Sequence, residues 1–379
     1  MLTTLAVAGY RSLVDVVLPL QRLTVVTGAN GTGKSNLYRA LRLLAAAGHG
    51  RAVASIAAEG GLDRVLWAGP ETPQGPGAQG TVRKGPVALR LGFASDGLGY
   101  LLDLGLPQAD PASPFSRDPE IKREQVFTGP VARPASLLVD RQRSGVRVRG
   151  DDGWVTPNQT LGPGQSALID LADGTAQPEA LALRHRVASW RFYDHFRTDA
   201  QAPARLPQVG TRTRWFSDDG RDVAAVWATT ADAGRGDALD DAVERAFPGS
   251  QARVDASDGM FRLRLRQPGL LRPLDTTELS DGTLRFLLLC AALLPADSPP
   301  LLVVNEPESS LQSLIAPLGA LNAAAATRTQ VVVVTHSPAL RAALTASGAE
   351  VVELESSGYG TRVRGQLPLE RPRWQWPAR

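Results

Sequence analysis

Three short segments open the chain, Leu2–Ala8, Leu13–Leu18 and Leu23–Thr27, in which apolar residues alternate with polar ones or run together. Alternation of period two predicts half-buried strands, and Gly9-Tyr10-Arg11-Ser12 supplies a hairpin turn between the first two. A helical run, Leu37–Leu44, follows the third segment, and the Gly/Pro-rich stretch Gly69–Gly80 reads as loop. Strand-like pieces recur at Val87–Phe93 and Tyr100–Leu106. Residues 107–180 are dense in Pro, Gly and Asp and read as irregular connections around short strands such as Ser136–Asp140. Helical patterns then occupy Pro178–Phe196, Asp222–Thr230 and Asp237–Phe247. From about residue 256 strong signals return: an apolar helix, Phe286–Leu294, and two continuous apolar runs, Leu301–Val304 and Val331–Val334. Such runs suit strands covered on both faces of a parallel sheet. No repeat of fixed period and no sustained heptads occur.

A chain of 379 residues can build one large domain or two lobes, and 43% apolar with 21% charged residues is ordinary for a globular protein. No apolar run approaches the roughly 18 residues of a spanning helix. The opening MLTTLAVAGYRSLVDVV lacks the basic start of a signal peptide and reads as strands. The single cysteine, Cys290, excludes an internal disulfide, is expected in the core, and points to a cytoplasmic location. A net charge of +3 is too small to imply nucleic-acid binding, so the placement of charge matters more. Arg141, Arg143, Arg147 and Arg149 cluster around Ser144-Gly145, as a hairpin would present them. Arg262, Arg264 and Arg266 alternate with apolar residues on a half-buried strand. Each set fits either a solvated face or an electrostatic footprint for DNA.

The sharpest chemistry lies at Gly28-Ala29-Asn30-Gly31-Thr32-Gly33-Lys34-Ser35-Asn36, a complete phosphate-binding loop of the form GxxxxGK[ST] between a strand and a helix. Glycines let successive backbone N–H groups turn inward around a phosphate, Lys34 reaches the β/γ oxygens, and the Ser35 hydroxyl binds Mg²⁺. The helix that follows points its positive end at the anion. The chain has only three lysines (Lys34, Lys84 and Lys122) among 41 basic residues, so a lysine at this position carries weight. ATP with Mg²⁺ is the expected ligand.

Three further motifs follow in order. Leu301–Val304 ends in Asn305-Glu306-Pro307-Glu308, and a carboxylate there faces the ligand crevice of an open α/β sheet. Glu306 is therefore the candidate for polarising the attacking water. Val331–Val334 ends in Thr335-His336-Ser337, where His336 could hydrogen-bond the γ-phosphate or the water. Upstream, Glu278-Leu279-Ser280-Asp281-Gly282-Thr283-Leu284-Arg285 places Ser280, Gly282 and their amides at the start of an apolar helix, a second anion site.

This set, GxNGxGKSN, LSDGT, hhhhNEPE and hhhhTHS, resembles the ABC-type ATPase heads of the SMC/RecF/OLD group, the RecF-like ATPases in particular. The hairpin at Gly9–Ser12 matches that group as well. The resemblance implies an α/β P-loop NTPase: an ABC-type ATPase head built from 1–106 and 256–379, with an N-terminal antiparallel β portion and 107–255 as an inserted lid lobe. It implies that Asn30, Gly31, Gly33, Lys34, Ser35 and Asn36 hold the nucleotide. Glu306 would be the catalytic glutamate and His336 the switch histidine. Ser280 and Gly282 would belong to a signature that closes over ATP bound to a partner subunit, hence an ATP-sandwich homodimer. Ser35 and the Walker B residue, here Asn305, would support Mg²⁺.

Two positions depart from the group. Asn305 stands where an aspartate is usual, and a neutral amide stabilises Mg²⁺ less, which would fit slow hydrolysis or binding without turnover. Gln312 stands where many relatives place aspartate or histidine. Gln108 and Gln125 both follow strand-like segments as candidates for the Q-loop glutamine. SMC-like arms are excluded by the missing heptads, and the 43 residues after His336 leave no room for an OLD-type nuclease domain. The leading expectation is an ATPase that dimerises on ATP and acts on DNA in repair or chromosome maintenance. A poorly hydrolysing, nucleotide-switched scaffold in phage defence is the alternative, and the ATPase subunit of a membrane transporter a weaker one.

Overall fold

The alternation of the opening segments folds them into an antiparallel hairpin. Leu2–Tyr10 and Leu13–Pro19 pair with Tyr10 opposite Leu13, leaving Arg11 and Ser12 as a two-residue loop. Arg11 has φ 49°, the left-handed conformation such short loops require. A computed structural model describes residues 1–70, 88–108, 113–171 and 177–378. Residues 71–80 of the predicted loop, and Val87, lie outside these.

The hairpin belongs to an eight-stranded antiparallel sheet. Its spatial order is Leu13–Pro19, Leu2–Tyr10, Leu89–Ser95, Leu98–Gly105, Glu120–Thr128, Leu137–Gln142, Gly145–Gly150 and Gly153–Val155. The predicted antiparallel portion therefore continues past residue 106. Glu120–Thr128 escaped the sequence reading because its buried positions include the consecutive polar residues Glu124 and Gln125, one on each face and both nearly inaccessible, which breaks the apolar period. These polar groups are satisfied internally. Tyr100 Oη and the Ala167 N–H donate to Glu124 at 2.8 and 2.7 Å, and Gln125 Nε2 donates to Asp140 at 2.8 Å. Gln125 is thus a structural residue of the sheet. Burial, and then Glu124, push the Tyr100 phenol well above its usual pKa.

Two compact units divide the chain: Met1–Gln21, Gly28–Trp190 and Val352–Arg379 form one, Arg22–Thr27 and Arg191–Val351 the other. The span 107–255 contributes to both. In the first unit the sheet is joined by the helix Lys34–Gly48, which packs on Pro178–Ala188 where a Cβ on Gly48 would stand 2.9 Å from Val187. Trp374 and Trp376 pack edge-on at 5.3 Å beside Phe127.

In the second unit, four parallel strands lie in the order Arg191–Tyr193, Leu301–Asn305, Gln330–Val334 and Leu23–Thr27. Continuous β-branched and leucine runs give Leu301–Val304 and Val331–Val334 no accessible surface, as strands covered on both faces require. The helix Asp281–Leu293 is buried from Leu284 onward. It contains Cys290, whose thiol is pushed far up by burial alone and is inert as a nucleophile. The pattern at 178–196 splits: the helix stops at Ala188, and Arg191-Phe192-Tyr193 pairs alongside Leu302–Val304. Met260–Arg266 is the half-buried strand expected, with Leu263 and Leu265 inside and Arg262 and Arg266 outside.

Candidate functional site

The phosphate-binding loop follows Thr27 without a break and ends at Gly33, which caps the helix Lys34–Gly48 with φ 99°. A side chain at Gly33 is barred twice over. The backbone is left-handed, and a Cβ would stand 2.3 Å from Thr361 Oγ1. At Gly28 a Cβ would meet the Leu354 carbonyl oxygen at 2.3 Å. No side chain caps the helix, so its first N–H groups face outward for an anion. Lys34 is buried, and its ammonium donates to the Gly28 and Ala29 carbonyls at 2.7 and 3.0 Å, inside the curve of the loop. Asn30, Gly31 and Ser35 are exposed. Asn36 donates to Ser12 Oγ at 2.9 Å, tying the helix to the hairpin turn. An inward ammonium, uncapped amides and an exposed hydroxyl form the donor set that a triphosphate with Mg²⁺ needs.

In the second unit, the strand Leu301–Asn305 turns sharply at Glu306, whose φ of 46° puts a non-glycine residue in the left-handed region. The Glu306 N–H donates to the Val334 carbonyl at 2.8 Å, so the turn is fastened to the neighbouring strand. Glu306 Oε1 lies 3.1 Å from His336 Nδ1, within hydrogen-bond distance, and both side chains remain accessible. Glu308 is buried behind them. It accepts from Thr335 Oγ1, while its Oε2 is buried without a partner. Asn305 donates through Nδ2 to Asp194 Oδ1 at 2.8 Å. The fold therefore brings Asn305, Glu306 and His336 together at the carboxyl ends of adjacent parallel strands. Among the described residues no group of three or more His, Cys, Asp or Glu side chains forms a metal cage. Mg²⁺ needs none, since it binds through one or two protein oxygens plus substrate phosphates.

Ser280 caps the helix Asp281–Leu293, its Oγ accepting from the Thr283 N–H at 3.2 Å. Ser280 is exposed and Gly282 is half-buried, with a Cβ there 3.1 Å from the Ser310 carbonyl oxygen. Two arginines that the sequence did not single out hold this region. Arg205 is buried and donates to the Thr198 and Leu279 carbonyls and to Asp281 Oδ1 at 2.7, 3.1 and 2.9 Å. Arg285 donates to the Ser309 carbonyl at 2.6 Å and the Phe196 carbonyl at 3.1 Å, with burial lowering its pKa. Their partners lie up to 90 residues away, so no local pattern marks them.

The predicted arginine hairpin forms, with Leu137–Gln142 paired to Gly145–Gly150, yet one of its four arginines does not face out. Arg141 is fully buried, donating to the Arg143 and Gly162 carbonyls at 2.7 and 2.8 Å and to the Gln165 carbonyl, with Glu124 at 3.4 Å. Odd and even residues of a strand alternate faces, and Arg141 falls on the inner one with Val139. It is therefore a structural cation and leaves the candidate DNA set. Arg147 is engaged by Asp140 at 2.7 Å and lies over Trp154; Arg143 and Arg149 are exposed. Arg141→Met should leave Glu124 as an uncompensated buried charge and destabilise the fold by about 3–5 kcal/mol. A thermal unfolding midpoint equal to that of the unmodified protein would contradict this.

Comparison with known proteins gives one family and a set of structures. The family model described as "AAA domain, putative AbiEii toxin, Type IV TA system" matches residues 23–342. No curated protein matches the chain. Among solved structures, an SMC head bound to the C-winged helix domain of ScpA matches at 13% identity and TM-score 0.51, covering 96% of this chain and 97% of that one. The SMC head domain from Thermotoga maritima matches at 14% identity and TM-score 0.45, with coverages of 96% and 97%. An SMC head with an extended coiled coil, bound to the C-terminal domain of ScpA from Pyrococcus furiosus, matches at 12% identity and TM-score 0.48, with coverages of 96% and 95%. The fold is that of an ABC-type ATPase head. No helix among the described residues is long and apolar enough to cross a membrane.

Proposed function

The chain belongs to the AAA domain family whose model spans residues 23–342, and from that premise we propose that it hydrolyses ATP slowly, dimerises around it and acts on DNA in the cytoplasm. The observation that carries the reading is the Glu306–His336 pair at 3.1 Å, held by a fastened left-handed turn at the end of a core strand. In this reading Lys34, Gly31, Gly33 and Asn30 hold the phosphates, with Asn36 positioning the helix behind them. Ser35 and Asn305 provide neutral oxygens for Mg²⁺, which neutralises phosphate charge when bound. Glu306 takes up or orients the proton of the attacking water, and His336 holds the Glu306 carboxylate and the γ-phosphate in register. Arg143, Arg147 and Arg149 remain as the basic residues offered to a DNA backbone.

Ser280 and Gly282 would complete the ATP site of a second copy, since an exposed serine and the amides of a helix start form an anion seat on the surface. With hydrolysis blocked by Glu306→Gln, ATP should convert a monomer-rich protein into dimer, as read by sedimentation or light scattering. Adding Ser280→Arg should abolish that shift while ATP still binds the isolated chain. Dimerisation undiminished by the arginine would refute the sandwich. A second reading, a nucleotide-switched scaffold in phage defence, draws support from the family's toxin–antitoxin description and from the neutral Asn305. Turnover that is insensitive to single-stranded, duplex and gapped DNA would favour it.

A further inference from the structure

We propose that Asp194 supplies the negative charge toward nucleotide-bound Mg²⁺ that Asn305 lacks, so that the two side chains together do the work of one Walker B aspartate. The inference rests on the reading of the chain as an ATP·Mg²⁺ binder. The strands Arg191–Tyr193 and Leu301–Asn305 are parallel, with Tyr193 beside Val304, so Asp194, just past the end of its strand, lies next to Asn305, the last residue of the neighbouring one, at the carboxyl edge of the sheet. That edge is where open α/β sheets bind ligands. The 2.8 Å bond from Asn305 Nδ2 to Asp194 Oδ1 commits the amide's donor to the carboxylate and orients its carbonyl oxygen elsewhere. Mg²⁺ accepts both kinds of oxygen.

The charge on Asp194 is not consumed by the fold. In a chain with 41 basic residues, no Arg or Lys forms an ion pair with it among the described residues, whereas Asp140, Asp199, Asp240, Asp275 and Glu278 are all paired to arginine. Asp194 is exposed to solvent. An exposed carboxylate pinned by an amide at a crevice edge is held in place for a cation that arrives with the ligand. One carboxylate plus one amide also has the same net charge as an aspartate beside a neutral neighbour, with the two groups exchanged between adjacent strands.

The exchange can be reversed. A fluorescent ATP analogue is titrated with Mg²⁺ against the unmodified protein, Asp194→Asn, and the double variant Asp194→Asn/Asn305→Asp. Asp194→Asn should raise the Mg²⁺ concentration needed for half-maximal binding by about tenfold or more, with metal-free binding in excess chelator unchanged. The double variant should return to within about threefold of the unmodified protein, because the carboxylate is restored on the neighbouring strand. Equal melting curves without nucleotide confirm that the isosteric changes leave the fold intact. An Asp194→Asn titration identical to the unmodified protein, or a double variant no better than the single one, would overturn the assignment. Failure of the unmodified protein to bind the analogue at all would instead strike the ATP-binding reading, and the assignment with it.

Discussion

Lys34→Ala is expected to weaken ATP binding by about thirtyfold to a thousandfold, corresponding to about 2–4 kcal/mol for removal of a charge-assisted hydrogen bond in a poorly solvated loop. Lys34 is 5% exposed, and its ammonium already points inward, bonded to the Gly28 and Ala29 carbonyls. When phosphate enters, those carbonyls are exchanged for oxygens bearing full charge, so the side chain gains on binding and does not have to be recruited. Alanine removes the only cation within the loop sequence and leaves the two carbonyls facing a trianion or tetra-anion. The variant should still fold, because Gly33, Thr361 and Ser12 fix the loop without the lysine. Calorimetric or fluorescence titration decides the matter, and binding within threefold of the unmodified protein would remove the phosphate-binding assignment.

Glu306→Gln should retain ATP binding while turnover falls by about 10²–10⁴, the range typical for removal of a general base. Glutamine keeps the length and the left-handed backbone cost of Glu306, and its N–H bond to Val334, so the change is confined to one oxygen. Steady-state phosphate release, with titrated binding as the control, separates the two effects. An unchanged rate would transfer the role to another group. Glu308 is the nearest alternative but is poorly placed for it, being buried with Oε1 already accepting from Thr335.

Much of this was legible in the sequence because the informative residues are contiguous. The loop from Gly28 to Asn36, the strand ends at Asn305-Glu306 and Thr335-His336, and the serine cap at Ser280 each announce themselves within a few residues, and the local geometry follows the local pattern. What stayed hidden depends on distance along the chain or on buried polarity. Asp194 meets Asn305 across 111 residues, and Arg205 meets Asp281 across 76, with nothing in either neighbourhood to signal the meeting. Arg141 resembles its exposed neighbours because an arginine on the inner face of a strand has no composition signature. Three backbone carbonyls and the opposing Glu124 make burial possible, and Glu124 in turn disguised the strand Glu120–Thr128 as a connection.

The parallel sheet also sets the order in which the protein can be made. Leu23–Thr27 leaves the ribosome about 300 residues before the strand it pairs with, Gln330–Val334. The sheet cannot close around Leu23–Thr27 until Gln330–Val334 has also been synthesised. Until then a fully apolar edge, Leu23 to Val26 apart from one threonine, has no partner to cover it. Loop closure over so long a separation is slow, and an unpaired strand edge is an invitation to aggregation. The antiparallel sheet of Leu2 to Val155 closes over shorter separations, the longest being Leu2–Tyr10 with Leu89–Ser95, and can form before Gln330–Val334 is made. Nascent-chain protection is therefore expected to matter for this molecule, and co-expression of chaperones should raise its soluble yield.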